Sequence, residues 1–365
     1  MADTSRSPEC VSPGWTSVAM QGSTNATQEA SLTARPLHVR TPLLESITLS
    51  QIYGQKVYLK MDNVQASGSF KIRGMGRLCQ EAQRQGAKRV VIASGGNAGM
   101  AVAYSARQLH MESVVVLSKL VPHRLVDRLR LEGARVEVKG STWEEADERA
   151  RQIVAQEGGY YCHPFDNPLI WTGNSTMIPE IFEDLCGVAP GAIVASVGGG
   201  GLVCGIAEGL DKVGWSQVPI VAVETKGADS FRASINANKQ VTLPTITSIA
   251  AALAVRKVCT KILELYKSRP IFSVVLSDKL AVDACVRFSE DQRALVEPAC
   301  GASLAAVYGA RATEMRKHGR LPADKPIVVI VCGGSAASIK QLEEWQEAVQ
   351  RNGCSSPERD HTGID

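Results

Sequence analysis

The sequence predicts an α/β protein built from two open, mostly parallel, twisted sheets with helices on both faces. Short apolar runs alternate with amphipathic segments, the runs are apolar at successive positions, and they form two separate series. Continuous apolar runs are typical of parallel strands that are covered by helices on both sides. Two series therefore predict two α/β domains with a cleft between them, where open sheets bind their ligands.

The first series begins with the run RVVIA at Arg89–Ala93. Its other strands are predicted over 113–117 and 135–138, and its helices over 98–109, 122–132 and 142–156. The second series has predicted strands over 192–197, 218–223 and 327–331, with helices that begin at Leu202 and Ala337. From this order we predict a small domain over 63–168 and a large domain that combines 36–62 with 169–351.

Both ends of the chain lack apolar periodicity. Residues 1–35 are rich in Ser, Thr, Pro, Ala and Gly, and 352–365 are mostly polar, so both are predicted to be disordered tails. A transit peptide is the alternative for the first tail. Arg6 and Arg35 favour it, whereas Glu9 opposes it because transit peptides avoid acidic residues.

The composition excludes several classes of protein. The 365 residues carry a net charge of only +3 and 5% aromatic residues, so no nucleic-acid surface is indicated. No long apolar stretch predicts a membrane span, and no apolar N-terminal segment predicts secretion. The ten cysteines include no C-x-x-C pair, which argues against a disulfide framework or a zinc site. We therefore predict a cytoplasmic enzyme with a small-molecule substrate, no nucleic-acid or membrane partner, and a homodimeric state by default.

Four loops at the ends of predicted strands or the starts of predicted helices carry small or reactive residues. The first contains Lys71 in the segment S-G-S-F-K-I-R-G. A lysine that lies deep in a cleft has a lowered pKa, and its amine becomes a nucleophile and a base. The alternative is a solvent-exposed lysine that opens a helix.

The second and third loops are rich in glycine. S-G-G-N-A-G at 94–99 and S-V-G-G-G-G-L at 196–202 each join a predicted strand to a predicted helix. Free N–H groups at a helix N-terminus bind anions, and consecutive glycines let a backbone wrap closely around a phosphate. The third loop matches neither G-x-G-x-x-G nor G-x-x-x-x-G-K-[ST]. The alternatives are a plain turn for the second loop and a flexible hinge for the third.

The fourth loop, V-C-G-G-S at 331–335, ends a very apolar strand. Cys332 is an inert core residue in the simplest interpretation. Its position at the end of a strand, before two glycines, is the local reason to consider a functional role.

Together and in this order, S-G-S-F-K-x-R-G, S-G-G-N-A-G, G-G-G-G-L and C-G-G-S resemble the pyridoxal-phosphate (PLP) β-family, which has the tryptophan-synthase-like fold. Within it the chain is similar to the liver-type L-serine/L-threonine dehydratases and their serine dehydratase-like relatives. The resemblance covers about 37–350 and includes T-P-L at 41–43, P-L-I-W at 168–171 and V-E-P-A-C-G-A at 296–302. It implies that PLP binds in the interdomain cleft.

The resemblance also implies roles for individual residues. Lys71 matches the lysine that bonds to PLP and then takes the α-proton of the substrate, and Phe70 and Ala252 match the residues on the two faces of the ring. Asn97 matches the partner of the phenolic oxygen, and Cys332 matches the partner of the pyridine nitrogen. The residues that match the phosphate cup are Gly198, Gly199, Gly200, Gly201 and Leu202. Those that match the substrate carboxylate loop are Ser94, Gly95, Gly96, Asn97 and Ala98.

A site for a monovalent cation such as K⁺ is implied by the same resemblance. The residues that match its ligands are Gly198, Glu224, Ala228, Ser230, Leu253 and Val255. One carboxylate among neutral oxygens suits an ion of low charge. From the residues alone, Glu224 could equally be a salt-bridged acid at the end of a strand.

The implied reaction is β-elimination, which converts L-serine to pyruvate and ammonia and L-threonine to 2-oxobutyrate and ammonia, within amino-acid metabolism and gluconeogenesis. A neutral thiol at Cys332 makes the ring a weaker electron sink than a carboxylate would, which favours prompt loss of the β-hydroxyl group over transamination. Two alternatives stay open: a serine racemase of the same fold, and a PLP-binding protein with weak catalysis. Racemases resembling this family have a serine hydroxyl where this chain has Gly95.

Overall fold

The computed structural model describes residues 35–353, which form ten strands and fourteen α-helices. The strands are β1 (Leu43–Glu45), β2 (Val57–Lys60), β3 (Arg89–Ala93), β4 (Glu112–Leu117), β5 (Arg135–Val138), β6 (Tyr160–Tyr161), β7 (Ala192–Ser196), β8 (Ile220–Thr225), β9 (Ile271–Leu276) and β10 (Ile327–Ile330). The helices are α1 (Ile47–Tyr53), α2 (Lys71–Arg84), α3 (Asn97–Gln108), α4 (His123–Leu131), α5 (Trp143–Glu157), α6 (Pro168–Ser175), α7 (Met177–Asp184), α8 (Gly201–Lys212), α9 (Ser230–Asn236), α10 (Thr260–Ser268), α11 (Asp278–Gln292), α12 (Pro298–Tyr308), α13 (Arg311–Lys317) and α14 (Ile339–Gly353).

The strands form two sheets, as the sequence predicts. One sheet has six strands in the order β1-β2-β10-β7-β8-β9, and the other has four in the order β5-β4-β3-β6. Among the described strands, β1 and β2 are the only antiparallel neighbours. The strands β7, β8 and β10 are fully buried and arise from continuous apolar runs, because helices cover both of their faces.

The six predicted strands all occur, with ends that differ from the prediction by at most two residues. The sequence analysis did not identify β1, β2, β6 and β9, whose signals are short or interrupted. β6 has only two residues, and β9 lies at the edge of its sheet with three of its six residues partly exposed. Edge and very short strands do not produce the long apolar runs that identify central strands.

The strands of the four-stranded sheet lie between residues 89 and 161, and those of the six-stranded sheet lie on either side of this segment in the chain. This arrangement agrees with a small domain that is inserted into a large one, although the exact boundaries at 63 and 168 stay predictions. The predicted tail 1–35 lies outside the described residues except for Arg35, and the tail 352–365 lies outside them except for the last two residues of α14. Across 35–353, no helix is both long and apolar enough to cross a membrane.

A cluster of buried charges fixes the first turn of α2. The Arg73 guanidinium is fully buried and forms paired hydrogen bonds with Asp62, at 2.6 and 2.8 Å, and with Glu180, at 2.7 and 2.9 Å. The buried Lys60 ammonium lies 2.7 Å from the same Glu180 carboxylate and also donates to the Thr41 carbonyl. These contacts join α2 to β2 and α7, and they hold the backbone two residues after Lys71.

Candidate active site

The four loops singled out in the sequence meet where strands of the two sheets end. β3 leads into the loop at 94–96, β7 leads into Val197 and the glycines at 198–201, and β10 leads into Cys332. The carboxyl ends of parallel strands are the usual ligand-binding edge of open α/β sheets. The candidate active site therefore lies at these ends, with the start of α2 beside them.

Lys71 is the first residue of α2, and its side chain is partly buried. Its Nζ donates to the Pro164 carbonyl at 2.9 Å and lies 5.4 Å from the centre of the Phe70 ring. Burial lowers the pKa of the Lys71 amine to about 8, and the nearby Cys332 opposes that shift. A substantial fraction of the amine is therefore neutral near pH 8 and able to act as a nucleophile or a base. This environment differs from that of a solvent-exposed lysine.

The segment before Lys71 pairs with the C-G-G-S loop through the backbone. Ser69 and Gly333 form an isolated antiparallel bridge, the Phe70 N–H donates to the Cys332 carbonyl at 3.0 Å, and Gly334 donates to Gly68 at 2.9 Å. These hydrogen bonds connect the first and fourth sequence motifs. They place Cys332 beside the lysine although 261 positions separate the two residues.

Cys332 is buried and lies 3.9 Å from the Ser196 hydroxyl, measured from Sγ to Oγ. A hydrogen bond with Cys300 and burial both raise the pKa of the Cys332 thiol well above its usual value. The thiol is therefore neutral at physiological pH. This is the protonation state that the resemblance requires for the partner of a pyridine nitrogen.

The four glycines after β7 pack too closely for side chains. A Cβ atom at Gly199 would overlap the Phe165 ring, and one at Gly201 would lie 2.6 Å from the Phe165 carbonyl oxygen. Gly200 has a φ of +93°, a left-handed conformation that other residues rarely adopt. Gly201 and Leu202 begin α8, and no side chain within the described range caps this helix. Its first N–H groups therefore lack a side-chain acceptor, as a phosphate cup requires.

The loop after β3 leads directly into α3, whose first residue is Asn97. The Asn97 Oδ1 accepts from the Ser335 N–H at 2.7 Å and from the Ser335 hydroxyl at 2.9 Å, and Nδ2 donates to Glu297 at 2.5 Å. No side chain caps α3, and a Cβ atom built on Gly96 would meet no atom within 4 Å. Ser94 is partly exposed, whereas Gly95 and Ala98 are buried. Among the described residues, the first N–H groups of α3 thus have no side-chain cap, and there is open space beside Gly96.

Some of the residues that match cation ligands lie close together. A Cβ atom on Gly198 would lie 3.0 Å from the Ala252 carbonyl oxygen and 3.3 Å from Leu253 Cα, and Val255 is also adjacent. Glu224 is the penultimate residue of β8 and is fully buried, and its carboxylate accepts from the N–H groups of Phe231 and Arg232 at 2.8 and 2.9 Å. Burial raises the pKa of the Glu224 carboxyl to about 8. Ala228 and Ser230 lie in the segment between Glu224 and Phe231, and the buried Ser230 hydroxyl has no hydrogen-bond partner among residues 35–353.

Three residues of the site were missed in the sequence analysis: Glu297, Pro164 and Phe165. The first contacts Asn97, the second holds the Lys71 amine, and the third packs against the glycine loop. Glu297 lies in the segment V-E-P-A-C-G-A at 296–302, and its position just before α12 was the only local indication of a functional role. Pro164 acts through its backbone carbonyl, so its side-chain type carries no signal.

PLP fits the residues that are present. The site offers a lysine amine with a lowered pKa, two uncapped helix N-termini and a neutral thiol. The buried Ser69 hydroxyl, two residues before Lys71, has no hydrogen-bond partner in the described part of the chain. A partly buried lysine with a lowered pKa, together with a glycine loop that opens a helix at the ends of parallel strands, is typical of lysine-dependent cofactor enzymes of the tryptophan-synthase-like class.

Comparison with known proteins identifies the family within this class. The family model described as "Pyridoxal-phosphate dependent enzyme" matches residues 34–333, and the chain belongs to this family. The L-serine dehydratase/L-threonine deaminase of Mus musculus is 49% identical over 319 residues, which cover 87% of this chain and 97% of that protein. The resemblance and the fold predicted from the sequence are therefore confirmed, and the protein is a PLP-dependent enzyme.

Two solved structures show the same fold. The fungal L-serine ammonia-lyase from Rhizomucor miehei has a TM-score of 0.81 and 38% sequence identity, and the match covers 85% of this chain and 98% of that chain. The serine racemase of maize has a TM-score of 0.77 and 25% identity, and the match covers 87% of this chain and 95% of that chain. The lyase is thus more similar to this chain than the racemase is, in sequence and in structure.

Proposed function

We propose that the protein is an L-serine/L-threonine ammonia-lyase that forms pyruvate and ammonia from L-serine and 2-oxobutyrate and ammonia from L-threonine. The observation that carries this proposal is the Lys71 amine, which donates to the Pro164 carbonyl beside the Phe70 ring and has a pKa lowered to about 8. The names of the relatives support the same activity, since the mouse protein is an L-serine dehydratase/L-threonine deaminase. A keto-acid assay with each amino acid on the PLP-loaded enzyme tests it.

The proposed binding roles follow from the donors and acceptors at the site. The uncapped N–H groups at Gly199, Gly200 and Gly201 bind the phosphate, and those of the loop at 94–98 bind the substrate carboxylate. The free N–H of the Asn97 amide binds the phenolic oxygen, and the neutral Cys332 thiol contacts the pyridine nitrogen. Phe70 and Ala252 flank the ring.

The proposed proton transfer is the task of Lys71. Bound PLP supplies the electron-withdrawing system that makes the α-proton of the substrate acidic. The Lys71 amine takes this proton, and its lowered pKa leaves enough of it unprotonated to do so. Loss of the α-proton and of the β-hydroxyl group amounts to loss of water. Addition of water to the resulting enamine or imine product then releases ammonia and the keto acid.

We predict that the enzyme forms pyruvate in large excess over D-serine. Racemisation needs an acid on the face opposite Lys71, and Gly95 has no side chain to supply a proton. A Cβ atom on Gly95 would also lie 2.8 Å from both methyl groups of Val121, so a serine does not fit here without a change at Val121. Chiral chromatography of the products from L-serine measures the ratio.

The double variant Gly95→Ser/Val121→Ala provides the comparison, with Val121→Ala alone as the matched control. We expect D-serine to be detectable only in the double variant. D-serine in amounts comparable to pyruvate from the unmodified enzyme would favour the racemase alternative. Keto-acid formation that stays near background when PLP is saturating would favour the alternative of a PLP-binding protein with weak catalysis.

We further propose that K⁺ binds at Glu224 and the neighbouring carbonyl groups, and that it supports the glycine loop through Gly198. Two features support this: the Gly198 backbone approaches Ala252 and Leu253 closely, and the Ser230 hydroxyl has no hydrogen-bond partner in the part of the chain that the structure describes. We predict higher activity in K⁺ than in tetramethylammonium, which is too large for the site, when the two are compared at equal ionic strength. Equal rates in the two buffers would contradict the cation proposal. From the sequence we also propose that the protein is a homodimer and that it acts in gluconeogenesis in the cytoplasm. Analytical ultracentrifugation tests the homodimeric state.

A further inference from the structure

Glu297 is a buried carboxyl group for which the proposed reaction has no role so far. It directly precedes α12 and is 5% exposed. Its Oε1 accepts from Asn97 Nδ2 at 2.5 Å, across a sequence separation of 200 residues. Burying a carboxyl group is unfavourable unless it is hydrogen-bonded, so a buried acid at this position calls for an explanation.

The loop after β10 leaves room for this side chain. A Cβ atom at Gly334 would overlap the Glu297 side chain, so any residue other than glycine would displace it. The Ala336 N–H also hydrogen-bonds to Glu297. The second glycine of C-G-G-S, Gly334, is therefore required sterically, because it lets the Glu297 carboxyl lie against Asn97.

The contacts fix which way the Asn97 amide faces. The Ser335 backbone N–H can only donate, so the Asn97 atom that faces it at 2.7 Å must be the oxygen. The NH₂ group then faces Glu297, whose carboxyl accepts one of its two hydrogens. One N–H of the amide remains for a ligand. Ser335 binds the amide oxygen, and Glu297 binds the amide nitrogen. Together the two contacts fix the orientation of the amide plane, which neither contact fixes alone.

We propose that Glu297 is a positioning residue, which holds the Asn97 amide with one N–H directed at the phenolic oxygen of PLP. This inference rests on the part of the proposed function that assigns the phenolic oxygen to Asn97. The inference does not depend on which amino acid the enzyme consumes, because it concerns cofactor binding before any substrate is present.

The test compares PLP with 3-deoxypyridoxal 5′-phosphate, which lacks the phenolic oxygen. Dissociation constants are measured by titrating each cofactor into the cofactor-free protein and following the absorbance of the bound form. In Glu297→Leu we expect PLP affinity to fall about tenfold or more, since the amide is left without its acceptor. The affinity for the deoxy analogue should change by less than about threefold, because the contact that Glu297 supports is missing in that complex.

Glu297→Gln is the conservative variant, since its amide oxygen can still accept from Asn97. We expect it to restore most of the preference for PLP over the analogue. Glu290→Gln, at an exposed position of α11, is the matched control and should change neither dissociation constant. Equal losses for PLP and for the analogue in Glu297→Leu would overturn the proposal and indicate only a role in folding. Unchanged affinity for both cofactors would overturn it as well.

A second readout covers the case in which Glu297→Leu fails to fold. Glu297→Asp draws the carboxyl group back from the Asn97 amide and should lower the preference for PLP over the analogue. In an Asn97→Ala background the same substitution should leave that preference unchanged, because the two residues act through one contact. A preference that still changes by the same factor would contradict the proposal. The keto-acid assay of the unmodified enzyme is run beside these titrations, so that a failure of the proposed activity is recognised separately.

The unfolding of the cofactor-free protein provides a further signature. Burial raises the pKa of Glu297 from 4.5 to about 7, with Asn97, Arg124 and the Ala336 N–H opposing the shift. The other titratable neighbours are the thiols of Cys285 and Cys332. Between these two pH values the folded state binds more protons than the unfolded state, so stability falls as the pH rises. The unfolding midpoint of Glu297→Gln relative to the unmodified protein should therefore rise from pH 5 to pH 7 and then level off.

Discussion

Lys71→Ala is expected to abolish turnover, with a loss of at least about a thousandfold in kcat, because it removes both the attachment point of the cofactor and the base. The amine is held by the Pro164 carbonyl at 2.9 Å, and it lies beside the Phe70 ring. The absorbance band of lysine-bound PLP should disappear on dialysis of the variant. Keto-acid formation and the visible spectrum are the two measurements.

Lys88→Ala is the matched control, since Lys88 is exposed and directly precedes β3, at the end of the strand away from the site. It should retain full activity and the full absorbance band. A PLP adduct that borohydride still reduces and fixes in Lys71→Ala would show that another lysine carries the cofactor. That result would contradict the assignment of Lys71.

Arg73→Met is expected to produce the largest loss of stability, about 3–5 kcal/mol in the free energy of unfolding. The fully buried guanidinium is hydrogen-bonded to two carboxylates, Asp62 and Glu180, and removing it leaves their negative charges close together and only partly compensated. Lys60 still contacts Glu180, but burial already lowers the pKa of its amine. Urea denaturation of the cofactor-free protein measures the change.

Arg84→Met is a control on the same helix. Arg84 forms an ion pair with Glu81 at 2.5 Å, but its side chain is 64% exposed, and solvent screens an exposed ion pair so that it contributes little to stability. If the two variants lost the same stability, the buried cluster would contribute no more than a surface ion pair. Because Arg73 lies two residues after Lys71, we also expect Arg73→Met to weaken PLP binding if it folds.

The sequence predicted the central strands and the four loops because each depends on neighbours along the chain. The continuous apolar runs of β3, β7 and β10 reflect burial on both faces, and a glycine cluster at the end of such a run indicates a close backbone approach. The resemblance of these loops to the PLP family is specific because four motifs occur in one order. The fold class and the family thus followed from the sequence by itself.

The tertiary structure decided the contacts between segments that are far apart in the chain. The Lys71 amine is held by the Pro164 carbonyl, and the Asn97 amide is held by Glu297 and Ser335, at sequence separations of 93, 200 and 238 residues. No local pattern encodes such a contact, because it depends on which strand ends the fold brings together. The pKa values of Lys71 and Glu297 depend on burial in the same way, since desolvation is set by the packing of the whole chain around a group and not by its neighbours in sequence.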